Sequence, residues 1–281
     1  MTWKIVADSG CDFRELENLA AGAQFVSVPL TIQIGSEVYV DDSGLDIDHM
    51  MESMYASSAA ASSACPSPDA YAKAFEGAQN ILVFTITGGL SGSYNSARVA
   101  KEMFLENHPN VNIHIIDSLS AGGEIDLLVT HANALIEKGL SFDEVVLGMA
   151  AYQAKTKLIF VLAKVDNLVK NGRLSKLLGK VVGLLNIRMV GEASSEGKLE
   201  LLQKPRGQKK AVAATVEEML KAGYQGGKAI IAHRSNDKIC QQIREAIQTK
   251  FPDADIQAIP TSGLCSFYAE EGGLLMGYEI V

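Results

Sequence analysis

Short, almost wholly apolar runs alternate with segments of helical period through the first half of the chain. Ile81 to Ile86, ILVFTI, has the β-rich character of a buried parallel strand. Tyr94, Ala97, Ala100, Met103 and Phe104 then recur at helical spacing through Leu105. Trp3 to Gly10, WKIVADSG, predicts an earlier buried strand ending in an Asp-Ser-Gly turn, with Asp12 capping a short helix beyond it. Phe25 to Asp42 predicts a strand and then a hairpin turning at Gly35-Ser36. Leu45 to Tyr55 predicts a helix. Ala56 to Pro68, small, polar and proline-terminated, predicts a loop before a helix that starts near Pro68 and Asp69. Ile113 to Ser118 repeats the strand-then-turn pattern, and Ala121 to Lys138 and Ser141 to Lys155 carry helical patterns. Strands alternating with helices in this way predict a parallel sheet.

The pattern changes after Leu158. Phe160 to Lys176 runs from a short strand through a short helix to an Asn-Gly-Arg turn, and Leu184 to Val190 and Gly197 to Gln203 predict two strands joined by Gly191 to Gly197. A helix (Gly207 to Ala222), a strand (Lys228 to His233), a helix (Asn236 to Lys250), a strand (Ala254 to Pro260) and the terminal Gly273 to Val281 follow. The expected fold class is α/β in two domains. Residues 1–158 form an N-terminal parallel-sheet domain, and 159–281 form a second α/β domain with a mixed or antiparallel sheet.

Composition narrows the function. At 281 residues two domains are expected, and 47% apolar with 21% charged residues is the balance of a soluble globular protein. No segment approaches the roughly 20 uninterrupted apolar residues of a membrane span. The N-terminus lacks the features of a secretory signal, so a cytoplasmic location is expected. Cys11, Cys65, Cys240 and Cys265 form no CxxC pair, which argues against structural zinc and a disulfide framework. The net charge of −8 disfavours nucleic acid. The one basic stretch, Lys164 to Arg188 with Lys204 to Lys210 behind it, reads equally as a dock for an acidic protein, a phosphate receiver or a solvated face.

The chemistry concentrates in Thr85 to Ala97, TITGGLSGSYNSA, where a strand hands over to a helix. Unpaired N–H groups at a helix N-terminus attract a carboxylate or phosphate, glycine lets the backbone approach it, and serine hydroxyls donate to it. The alternative is an ordinary glycine-rich turn with Ser91 or Ser93 as N-cap. A second hydroxyl-rich loop, Ser62 to Pro68, is expected to meet it over the carboxyl edge of the sheet. Neither loop has a nucleotide-binding fingerprint. Gly89-Leu90-Ser91-Gly92 is not a G-x-S-x-G elbow, and of the five histidines only His233 falls at a strand end. Asp8, Asp12, Asp117 and Asp166 also fall at strand ends, yet no pair has a spacing that compels a metal, magnesium included.

Several segments in order resemble one family. They are VADSGCDF, VPLTIQIG with VYVDD, SACPSP at Ser63 to Pro68, TGGLSGSYNSAR, IHIIDSLSAGG, the NGRLSK segment around Arg173, LLNIRMV and GGLLMGYE. The chain resembles the DegV family of bacterial fatty-acid-binding proteins, the carrier subunits of a two-component fatty acid kinase. The resemblance implies a non-enzymatic carrier whose N-terminal domain holds the head-group loops and whose C-terminal domain completes an acyl tunnel. It also implies an ATP-dependent kinase partner that phosphorylates the bound carboxylate, with no cofactor beyond the fatty acid as ligand. The implied carboxylate ligands are Ser63 and Ser91 with Gly92 and Asn95 nearby, and Arg173 would balance charge or dock the kinase.

Two positions depart from the family pattern. Ser63 stands where threonine is usual, and Tyr268 stands where a histidine would fall, with a hydroxyl able to donate to the head group. A fatty acid needs a small polar clamp and much apolar lining, without an acid–base pair. Burying roughly 15 methylenes at ~0.8 kcal/mol each gives about 12 kcal/mol gross, so the tail would set affinity and the clamp orientation. The competing reading is a serine-dependent hydrolase or acyltransferase using Ser91 with His233 or Asp117. A third is a regulatory or interaction protein with a structural lipid.

Overall fold

The computed structural model describes residues 2–179 and 186–281. The first part contains β1 (Trp3–Asp8), β2 (Ala23–Val28), β3 (Thr31–Ile34), β4 (Glu37–Val40), α1 (Ile47–Ala56), β5 (Ala61–Ala64) and α2 (Pro68–Phe75). Then come β6 (Asn80–Thr85), α3 (Ser93–Asn107), β7 (Asn112–Asp117), α4 (Gly123–Glu137) and α5 (Phe142–Gln153). The remainder contains β8 (Thr156–Leu162), α6 (Asp166–Lys170), α7 (Lys176–Gly179), β9 (Met189–Ala193), β10 (Leu199–Gln203) and α8 (Gln208–Lys221). It closes with β11 (Ala229–His233), α9 (Asp237–Gln248), β12 (Ile256–Pro260), α10 (Gly263–Ala269) and β13 (Leu274–Glu279).

Strands β2-β1-β6-β7 form a four-stranded parallel sheet, which bears out the expected first half. The strands β10-β9-β8-β13-β11-β12 form a six-stranded mixed sheet in which only β11 and β12 run parallel. A small antiparallel sheet, β4-β3-β5, stands beside them. The expected division between residues 158 and 159 falls inside β8, which pairs from Thr156 onward with β13. We therefore propose a boundary before Thr156.

Helix α4 explains how the two large sheets meet. It buries Ile125, Leu128, Val129 and Ala132 in the core under β1, and it also packs on β13, β11 and β8. A helix covered on both sides needs an apolar surface nearly all round, and Ile125 to Val129 is buried without a break. Its first turn lies backbone to backbone on β13. A Cβ on Gly277 would come within 2.3 Å of Glu124 N, and one on Gly123 within 2.2 Å of the Ile230 carbonyl. Gly122 takes a left-handed φ of 61°, and its N–H donates to the Gly10 carbonyl.

Buried carboxylates then pin α10. Asp12 accepts from Ser262 N–H at 2.7 Å, while Asp41 accepts from Gly263 and Leu264 N–H at 2.9 and 2.7 Å and pairs with Arg14 at 2.6 Å. Negative charge is stabilising at a helix N-terminus. Asp126 on α4 accepts from Asp12 N–H and from the Cys11 thiol. Burial pushes both Asp12 and Asp126 up, and the charge on Asp12 pushes Asp126 further.

Three expectations change. Asp12 caps no helix after β1, because its carboxylate serves α10 instead. Part of the expected loop Ala56 to Pro68 is β5, a strand of small residues recruited by backbone pairing with β3. Gly191 is not a linker but a residue of β9: the Phe160 ring and the Glu200 carbonyl occupy the space of its missing Cβ, and the turn is Ser194 to Lys198. Leu184 and Leu185 of the expected strand lie outside the described residues. Helix α10 had no sequence counterpart.

Replacing Gly277 by alanine should cost about 1–3 kcal/mol in urea unfolding, with the slope m unchanged. Asp12 and Asp126 hold protons more tightly folded than unfolded, so their contribution is full below pH about 4 and is lost as pH rises through the folded values. Asp126→Asn should therefore lose less unfolding free energy than the wild type as pH rises above the free carboxylate value of about 4.

Candidate functional site

The β6–α3 loop is held from beneath by one carboxylate. Asp8, at the end of β1, accepts from Gly10 N–H at 2.8 Å, from Ile86 N–H at 3.0 Å and from Ser93 Oγ at 2.5 Å. Tyr71 OH lies 3.4 Å from Asp8 and 2.7 Å from Ser93 Oγ. Burial pushes Asp8 up to about 6, and these donors, Ser93 first, draw it back. Above it, Thr87 N–H donates to the Ser120 carbonyl and Gly88 N–H to Asp117. Helix α3 takes Gly92 as N-cap, without a side-chain cap, and Ser91 Oγ accepts from Ser93 N–H.

The two hydroxyl-rich segments do meet. Ser96 Oγ donates to the Pro66 carbonyl at 2.6 Å, and the exposed Cys65 thiol lies beside Gly92. Beneath them a cavity of about 760 Å³, mouth included, opens between the sheets. Its apolar wall includes Leu30, Ile86, Leu158, Phe160, Leu162 and Leu275, and its polar lining includes Ser63, Ser91, Thr87, Ser120, Arg173 and Tyr268. Arg173 and Lys198 line it, and no Asp or Glu does among the described residues.

Four chain segments build its polar end. Ser63 on β5 and Tyr268 on α10 share a 2.8 Å hydrogen bond. The Arg173 guanidinium lies 5.0 Å from the Tyr268 ring centroid, and its Nε donates to the Leu90 carbonyl at 3.0 Å. Burial raises the Tyr268 phenol, so it remains an O–H donor at neutral pH, although Ser63 and Arg173 draw it down. Gly172 takes the left-handed φ of 72° that turns the chain from α6 to Arg173. Asn171 Nδ2 donates to the Ala61 carbonyl, and Asn167 Nδ2 donates to the Phe267 carbonyl. These two asparagines lock the arginine turn to both partner elements.

Ser63, Ser91, Arg173 and Tyr268 are thus gathered at one cavity, while Gly92 is the exposed N-cap beside Ser91 and Asn95 is exposed on α3 outside the lining. Lys198, Asn167 and Asn171 were missed. Only Asn171 had a local signal, in the Asn-Gly-Arg turn. His233 is not in the cavity lining: its Nδ1 accepts from Asn236 N–H, and Asp237 lies 3.6 Å from Nε2. Asp117 holds Gly88 and Leu119 N–H groups. Neither named base lines the cavity with Ser91. The four cysteines are free thiols, and no group of three or more His, Cys, Asp or Glu gathers for a metal among the described residues.

The sequence model of the DegV family, described as uncharacterised, matches residues 2–279. The chain belongs to the DegV family. A DegV domain-containing protein of Streptococcus gordonii is 70% identical over 280 residues, covering 100% of both chains. Among solved DegV-like structures, the Streptococcus pneumoniae Fatty Acid Kinase (Fak) B3 protein loaded with linoleic acid is 67% identical, with a TM-score of 0.99 and 100% of each chain covered. A DegV family protein from Eubacterium eligens loaded with heptadecanoic acid is 38% identical, with a TM-score of 0.95 and the same coverage. The resemblance carried by LSGSYNSA and NGRLSK is borne out, as is the two-sheet α/β class.

Because burial raises the DegV-site phenol, subtracting the Tyr268→Phe titration from that of the wild type should leave a tyrosinate absorbance step above the free value of about 10.

Proposed function

We propose that the chain carries one long-chain fatty acid in this cavity and presents its carboxylate to an ATP-dependent kinase partner, with no turnover of its own. One observation carries the reading: an apolar cavity ends in hydroxyls and an arginine and has no carboxylate in its lining. Such a space suits a long apolar molecule with an anionic head. The fatty acids in the two solved relatives support it.

In this reading Ser63, Ser91 and Tyr268 donate to the carboxylate, and Arg173 balances its charge and keeps it ionised and nucleophilic against the dry pocket. Gly92 contributes backbone at the α3 N-terminus. Asn95 is assigned to the outside of the mouth. The parallel-sheet unit supplies the head-group loops, and the six-stranded sheet completes the acyl wall. A cytoplasmic site of action fits this role, and no described helix is long and apolar enough to cross a membrane.

Native mass spectrometry of the purified protein, followed by release and identification of small molecules, tests the proposal. One fatty acid per chain is expected; a protein that is empty and takes up no added fatty acid overturns it. Because the tail dominates affinity, Ser63→Ala and Ser91→Ala should each weaken fatty-acid binding by only about threefold to tenfold, the equivalent of one net hydrogen bond. Loss of an esterase activity with Ser91→Ala would instead favour the hydrolase.

A further inference from the structure

A second, shallower hollow of about 510 Å³ lies next to the acyl cavity, lined by Gly89, Leu90, the turn from Asn171 to Ser175, Lys198 and Leu199. Leu90, Arg173, Lys198 and Leu199 line both spaces, so the two meet at these residues. The acyl reading leaves this outer space unexplained. It places Arg173 and Lys198 in the lining of one hollow just outside the position assigned to the carboxylate.

Lys198 is delivered there by a fixed turn. Ser194 Oγ accepts from Glu196 N–H and Lys198 N–H, both at 3.2 Å, and Ser194 N–H donates to the Lys198 carbonyl at 2.8 Å. The tip lies against the β6–α3 loop without room for a side chain on either face: a Cβ on Gly197 would overlap Thr87, and one on Gly89 would meet the Glu196 carbonyl at 2.5 Å. The Lys198 ammonium is 2.7 Å from Glu196 in an exposed pair. Such pairs contribute little, so the lysine is easily exchanged to a stronger anion.

We propose that this hollow is the subsite for the phosphoryl group of the acyl phosphate, with Lys198 leaving Glu196 to pair with it beside Arg173. The inference rests on the carrier reading. In the transfer, a carboxylate oxygen of the fatty acid forms a bond to the γ-phosphorus of ATP held by the kinase, and the β–γ bridging P–O bond breaks. ADP leaves with that electron pair, and no proton is gained or lost in the step. The carboxylate's single charge is replaced by the roughly −1.5 to −2 of a phosphoryl group, and three strong acceptor oxygens appear on the outward side, because the tail fills the inner space. Lys198 meets the charge that only the product carries, and this makes it a residue that discriminates product from substrate.

Binding is measured, without kinase, for a fatty acid and for the β-ketophosphonate of the same acyl chain, in which CH2 replaces the bridging oxygen and hydrolysis is blocked. Lys198→Gln should lower phosphonate affinity about tenfold, the scale of one charge-assisted hydrogen bond, and fatty-acid affinity by clearly less, because the carboxylate carries the smaller charge. It should also flatten the salt dependence of phosphonate binding. Glu196→Gln should raise phosphonate affinity by freeing the lysine. Equal losses for both ligands with Lys198→Gln, or an unchanged phosphonate affinity, overturn the subsite and leave the carrier standing. A wild type that binds neither ligand overturns the carrier reading and this one with it.

Discussion

The spacing between the two large sheets is set by backbone contact at the first turn of α4, where Gly123 and Gly277 leave no side chain between helix and strand. Everything at the site inherits that distance. The cavity has walls on both sheets, with Ile86 from one side and Leu158, Phe160 and Leu275 from the other, so a wider or narrower gap would change its bore directly. An ordinary helix on a sheet keeps its backbone several ångströms farther away. Here the close approach lies beside the cavity itself, whose lining includes Ser120 and Ala121 just before α4 and Leu275 on β13.

The same economy governs the polar groups. Carboxylates are abundant beneath the site, with Asp8 under the α3 loop and Asp12 and Asp41 under α10, yet each is consumed by backbone N–H groups or hydroxyls. The cavity lining is left with hydroxyls and cations. Negative charge therefore does structural work behind the loops, and the ligand-facing side stays free to receive an anion. The Tyr268 phenol fits this division, since it donates without carrying a charge, whereas an imidazole in its place would bring a titration near neutral pH.

Much of this was legible in the residues. The parallel half followed from apolar runs alternating with helical periods, and the Thr85 to Ala97 loop announced itself through glycines and serines at a strand-to-helix junction. Ser63 and Tyr268 were named through family resemblance, but the elements that bring them together were not visible. β5 is made of alanine and serine, which have no strand signature alone and acquire one only by pairing with β3. α10 is seven residues long and stabilised at its N-terminus by Asp12 and Asp41, more than 200 positions away, so local pattern could not predict it. Gly191 misled for a related reason: glycine reads as a turn, but here it makes room for the Phe160 ring. Lys198 had no signal because only the fold brings its turn against the loop of the opposite sheet.

The seam between Gly197 and Gly89 joins a turn of the six-stranded sheet to a loop of the parallel sheet, with backbone against backbone. Glycines make such a joint thin: the Thr87 side chain lies against Gly197, which has no side chain of its own to interdigitate with it. A guest leaving through this seam would work against little friction from the joint itself. Its dwell time would then be governed by how firmly the close-packed first turn of α4 holds the two sheets together, so retention becomes a mechanical property of the whole molecule as much as a chemical property of the pocket.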